Sequence, residues 1–140
     1  MKKVIILSGV DPCLGSGRVL IDIQKSLNIS GFQTHIISNL VGNKEDGDVT
    51  YLTSYIQSIF NSFKNRILSF IDIKKDPKYS MYDLDLSERK LSYKKTVSKF
   101  PFNPDFIIYF FEHQFLTEKD LYHIGKATCA PIFFYMADFG

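Results

Sequence analysis

Tryptophan is absent from this chain of 140 residues, cysteine occurs twice, and neither sign of charge prevails. Each shortage excludes something. Two cysteines, Cys13 and Cys129, cannot build a disulfide framework, and neither has a Cys or His at metal-ligand spacing. They read as small buried thiols in a reducing compartment. Lys plus Arg is 17 and Asp plus Glu is 15, a net charge of +2. That balance excludes a dedicated nucleic-acid binder, which carries a strong basic stripe. No run approaches the ~20 apolar residues of a membrane span. Met1-Lys2-Lys3 followed by Val4 to Leu7 imitates a signal peptide. The apolar run is shorter than the usual ~7–15 residues, Asp11 and Pro12 interrupt it, and no small-residue cleavage site follows. The expected location is therefore cytoplasmic. Repeats and low-complexity tracts are also missing.

What remains is ordinary for one globular domain: 45% hydrophobic and 23% charged residues. With 13 Phe and 8 Tyr, the core must be Phe, Ile and Leu, with Tyr at its edges. Val4-Ile5-Ile6-Leu7 is short, continuous and apolar, the signature of a strand buried on both faces of a parallel sheet. A loop from Gly9 to Ser16 follows. Val19, Leu20, Ile23 and Leu27 then recur at helical spacing, predicting a helix over 17–29 that stops at Gly31. His35 to Ser38 is a second strand, which completes a βαβ unit. Asn39 to Asp48 is polar and reads as a loop.

Ile56, Ile59, Phe60, Phe63, Ile67, Phe70 and Ile71 step by threes and fours, the clearest amphipathic helix in the chain. Lys64, Arg66, Lys74 and Lys75 lie nearby. Two readings compete: packing into the core, or a basic, aromatic face laid on an anionic membrane. Tyr79 to Leu86 alternates weakly, as a strand or extended loop, and a helix is expected to end near Lys99. Asp105 to Phe111 is a third buried strand, Thr117 to Asp120 opens a helix over Leu121, Ile124 and Ala127, and Pro131 to Met136 is a fourth buried strand. Strands alternating with helices predict an α/β fold, a Rossmann-like open parallel sheet with helices on both faces. The Val4 to Leu7 strand should be central, with the third and fourth strands on one side. No helix follows the last strand, which suggests the first part of a longer protein. Apolar residues should then remain exposed, and the piece should self-associate.

The loop from Gly9 to Arg18 joins the first strand to the first helix, where a helix N-terminus suits an anion. It is not a phosphate loop, since Arg18-Val19 follows Gly17 where Lys and then Ser or Thr are needed. The dinucleotide fingerprint also fails, with Leu20 in place of a third small residue and no acidic residue between His35 and Asn39. A plain tight turn and a sugar or anion contact both remain open. His113 and Asp138 follow the third and fourth strands at the carboxyl edge, where open α/β sheets bind ligands. His35 and His123 read as structural or solvated.

Taken in order, several segments resemble one family. They are Lys3 to Leu7 with Gly15-Ser16-Gly17-Arg18, Gly31 to Ile37, Pro104 to Phe111, Leu116 to Leu121, and Ala130 to Asp138. The chain resembles the N-terminal domain of a GT-B glycosyltransferase, of the family 4 kind found in bacterial polysaccharide synthesis. The resemblance implies that residues 1–140 form the Rossmann-like, acceptor-side domain, with the donor-binding C-terminal domain absent and the piece alone inactive. It implies a retaining transfer from a nucleotide sugar to a polysaccharide or lipid-linked acceptor, with no metal and no cofactor, at the inner face of a membrane. Gly15, Gly17, Arg18 and His113 would bind substrate, and Asp138 would be catalytic, next to the position where the family's His lies near the reacting sugar. The family often has His-Asp there, and this chain has Ala137-Asp138. The alternative is a stand-alone flavodoxin-like or receiver-like binding module. A receiver needs acidic residues after the first strand, where only Asp11 stands, and an Asp ending a middle strand.

Overall fold

The computed structural model describes residues 1–12, 17–39, 48–52, 60, 63, 67, 92–110 and 116–135. In chain order these form β1 (Lys3–Ser8), α1 (Arg18–Ile29), β2 (Gln33–Ser38), β3 (Val49–Tyr51), α2 (Tyr93–Val97), β4 (Phe106–Phe110), α3 (Glu118–Thr128) and β5 (Ile132–Tyr135). The strands make one sheet in the order β3-β2-β1-β4-β5. Every neighbouring pair is parallel.

β1 is central because it can be buried on both faces. Val4, Ile5, Ile6 and Leu7 are all fully buried. Alternation then divides the core. Ile5 and Leu7 join Ile37, Ile107, Tyr109, Leu121 and Ile124 on one face. Val4 and Ile6 join Ile36, Leu20 and Phe110 on the other. The helices divide the same way. From β1 to β2 the chain moves in one direction along the sheet, and from β4 to β5 in the other. Right-handed crossovers therefore put α1 and α3 on opposite faces. The α/β sheet with helices on both faces is the expected fold.

Local chemistry fixes the element ends. α1 stops where Gly31 adopts φ +84°, a conformation open to glycine. Phe32 N–H returns to Leu27 O at 3.0 Å to close that end. α2 begins at Ser92, whose hydroxyl accepts from Lys95 N–H. α3 begins with a capping box: Thr117 Oγ1 accepts from Asp120 N–H at 3.1 Å, and Asp120 Oδ2 accepts from Thr117 N–H at 3.1 Å. α2 docks on α3 partly through Tyr93, whose ring stacks on His123 at 4.9 Å. At the amino ends of the strands, Asp105 N–H donates to Lys3 O at 2.8 Å while Lys3 N–H donates to the Asp105 carboxylate at 2.6 Å. That reciprocal pair sets the start of β4 against β1.

Four expectations change. β3 was not foreseen; it comes after the polar stretch expected to be a loop. β5 is an edge strand rather than a buried one, with Phe133 and Phe134 each 57% exposed. Apolar content gives a strand its character but not its neighbours, and among the described residues β5 pairs with β4 alone. Phe60, Phe63 and Ile67 are helical, as their spacing predicts, but 73%, 65% and 47% exposed rather than core. The spacing gathers them on one face and leaves open what covers it. Cys129 is exposed rather than buried, because it ends α3 in the turn before β5. Cys13, the stretch from Tyr79 to Leu86 and most of the helix expected over 56–71 lie outside the described residues.

Candidate functional site

In an open α/β sheet the crevice forms at the carboxyl edge, where the chain's direction along the sheet reverses. Here that switch lies between β1 and β4, whose last paired residues are Ser8 and Phe110. The site is therefore built outward from Ser8.

The turn after β1 is fastened before any ligand arrives. Val10 N–H donates to Ser8 Oγ at 3.1 Å. Ser38 Oγ, at the end of β2, donates to Val10 O at 2.8 Å. Asn39 N–H donates to Ser8 O at 3.0 Å, and Leu52 N–H to Ser38 O at 2.8 Å. Ser8, Val10, Asp11, Ser38 and Asn39 are all buried. The carboxyl edge is thus a rigid polar ledge with its hydroxyls engaged inward. No expectation from the sequence included this ledge. Its signal was a serine directly after each apolar run, at Leu7-Ser8 and Ile37-Ser38.

Gly17 closes the turn against the ledge. It is buried, with φ −61° and ψ −22°, an ordinary helical conformation. A Cβ built there would stand 1.8 Å from Asp11 O and 2.6 Å from Asp11 C. Space, not torsion, demands glycine. The expected proximity is present, but the neighbour is the protein's own backbone. Gly17 is also the N-cap of α1 and supplies no side chain to it, and the first turn holds no acidic residue. Arg18, the first residue of α1, is exposed. A helix dipole and a guanidinium together favour an anion or a sugar hydroxyl at this edge.

Gly15, His113 and Asp138 lie outside the described residues. The structure brings together Gly17, Arg18, the β1 turn and the end of β4 through the sheet order. Asp11 joins this set.

Of the other two histidines, His35 is structural. It is buried on β2, with Nε2 2.8 Å from Thr50 Oγ1 of β3. Burial holds its imidazole below the ordinary value, opposed in part by the charge of Asp48. Asp48 O in turn accepts from Gln24 Nε2 at 3.3 Å and from Ile36 N–H at 2.9 Å, tying α1, β2 and β3 together. His123 packs between Tyr93 and Tyr122. Among the described residues, no group of three His, Cys, Asp or Glu is placed to hold a metal ion, and no helix is long and apolar enough to cross a membrane.

Comparison with protein-family models, with curated proteins and with solved structures finds no match for this chain.

Proposed function

We propose that this chain is the acceptor-side domain of a glycosyltransferase that takes sugar from a nucleotide-activated donor. One observation carries the reading. The strand order reverses at β1 and β4, and the N-terminus of α1 meets that edge through Gly17, packed against Asp11. A rigid ledge beside a helix N-terminus suits a neutral acceptor glycan close to a donor phosphate. The sheet order also argues against the binding-module alternative. A flavodoxin-like sheet runs 2-1-3-4-5, whereas this one places β3 outside β2.

In this reading Arg18 faces the donor's charge, and Gly15, His113 and Asp138, which follow β1, β4 and β5 in the sequence, complete the crevice. The donor half lies on a further domain, transfer retains configuration, and no metal takes part. The exposed Phe60, Phe63 and Ile67 fit contact with the membrane that carries a lipid-linked acceptor.

The test uses the full-length protein. A screen of nucleotide sugars by thermal shift should find one that raises Tm, and labelled sugar from that donor should reach an acceptor. Gly17→Val and Asp138→Ala should each reduce transfer. Wild-type transfer rates in both variants would remove the site assignment, and no response to any nucleotide sugar would remove the reading itself.

A further inference from the structure

We propose that His35 and Thr50 form a proton-sensitive latch on the polar ledge. With the ring neutral, β3 lies against β2 and braces the ledge; a proton on the ring releases β3 and loosens it. This goes beyond the sugar-transfer reading and does not rest on it, since the ledge responds whatever ligand it meets.

The latch stands on where the ring is held. His35 lies within β2, level with Ile5 of β1, and is 8% exposed. Alternation along β2 sets it on the face of Ile37, and Thr50, the register partner of Ile37, shares that face. Nε2 of the ring is 2.8 Å from Thr50 Oγ1. A hydroxyl both donates and accepts, so it can meet either form of the ring. The proton therefore leaves that bond possible and adds a charge at a buried place, which is costly unless a partner or water meets it.

The charged groups around the ring do not offset that cost. Asp48, on the same side of its strand as Thr50, attracts the imidazolium, but it is exposed and water screens it. Lys3, on the same face of β1, keeps its ammonium over the Phe102 ring at 5.7 Å. α1, on the opposite face, reaches this corner through the neutral Gln24, whose Nε2 donates to Asp48 O at 3.3 Å. Burial outweighs the one opposite charge, and the ring titrates below its ordinary value.

β3 is the weaker wall. It has three residues, whereas β1 pairs with β2 along six. Ile36 N–H donates to Asp48 O at 2.9 Å, and Leu52 N–H to Ser38 O at 2.8 Å. Short segments with few bonds open at much lower cost than the whole fold. Opening β3 hydrates the ring and leaves the β1–β2 ladder in place, so a proton draws the chain that way. The ledge responds because Ser38 serves both sides. Its carbonyl accepts from Leu52, and its hydroxyl donates to Val10 O at 2.8 Å. Asn39 follows, with its N–H on Ser8 O. Without Leu52, this end of β2 frays.

Amide hydrogen exchange by NMR, from about pH 7.5 to 5, tests this on the whole chain, with the His35 ring titrated in the same samples. Protection factors remove the intrinsic pH dependence of exchange. Ile36 and Leu52 should lose protection together, by up to about tenfold for each unit that the measured ring pKa lies below 6.5. Asn39 should follow by a smaller factor with the same midpoint. Ile107, bonded to Pro131 O across the sheet, should not change. His35→Gln should abolish the fall, and Asp48→Asn, which removes the opposing attraction, should deepen it. Thr50→Val should lower the protection of Ile36 and Leu52 about fivefold already at pH 7.5. Four results would each overturn the proposal: a ring pKa at or above 6.5, a fall as large in His35→Gln, a fall shared by Ile107, or an Asn39 amide that stays protected while Leu52 opens.

Discussion

Gly17 and Gly31 need glycine for different reasons. At Gly31 the torsion demands it, since φ is +84° and nothing stands within 4 Å of a Cβ. At Gly17 the torsion is ordinary and the space is not. A methyl group there must push the Asp11 carbonyl out of the turn, so Gly17→Ala should lower stability by about 1–3 kcal/mol, read by urea denaturation. A loss of transfer in Gly17→Val is therefore expected to come with a loss of stability. Cys129 shows the reverse case, a non-glycine at φ 54° ending α3. Its thiol is exposed, so little packing is lost on removal. Cys129→Gly should stabilise by about 1 kcal/mol and raise Tm by roughly 2–4 °C.

His35 gives the chain a pH dependence of known sign. Its folded pKa is depressed by burial, so the unfolded chain takes the proton first as pH falls. The stability it contributes is present above the unfolded value of about 6.5 and is lost as pH falls through that value toward the folded one. Denaturation midpoints should drop between about pH 7.5 and 5, and His35→Gln should flatten that drop. An equal slope in the variant would assign the effect to other groups.

Among the elements, α3 opens on local chemistry, its capping box satisfying the N–H groups of Thr117 and Asp120. Thr117→Ala should cost about 1 kcal/mol in thermal or chemical unfolding, and Thr117→Ser much less. The capping signal was legible in Thr117-Glu118-Lys119-Asp120, as was the stop of α1 at Gly31, because both act within a few residues. β1, β2 and β4 were legible from their apolar runs for the same reason. β3 was not. Three residues, Val49 to Tyr51, are too few for a pattern, and what holds them is pairing with β2 and the His35–Thr50 contact across 15 residues of chain. Yet β3 decides the sheet type, since without it the remaining order would match the flavodoxin-like pattern. The exposure of β5 was illegible too, because a strand's neighbours are set by the whole chain.

At the scale of the molecule, the sheet separates two surfaces. The carboxyl edge between β1 and β4 carries the polar ledge and the start of α1. The outer edge carries β5, α3 and most of the exposed aromatic surface of the sheet. Only part of the site was legible: Gly17 and Arg18 came from a glycine pattern, while the ledge of Ser8, Ser38 and Asn39 needs two strands side by side to exist. The central claim is that the β1–β4 crevice receives sugar substrates. An amide-resolved NMR titration of the chain with nucleotide sugars and with neutral oligosaccharides tests it directly. A sugar-binding crevice predicts shifts concentrated at Ser8 to Asp11, at Gly17 and Arg18, and at Phe110. Unmoved amides at those positions, or shifts confined to α3 and β5, would contradict it.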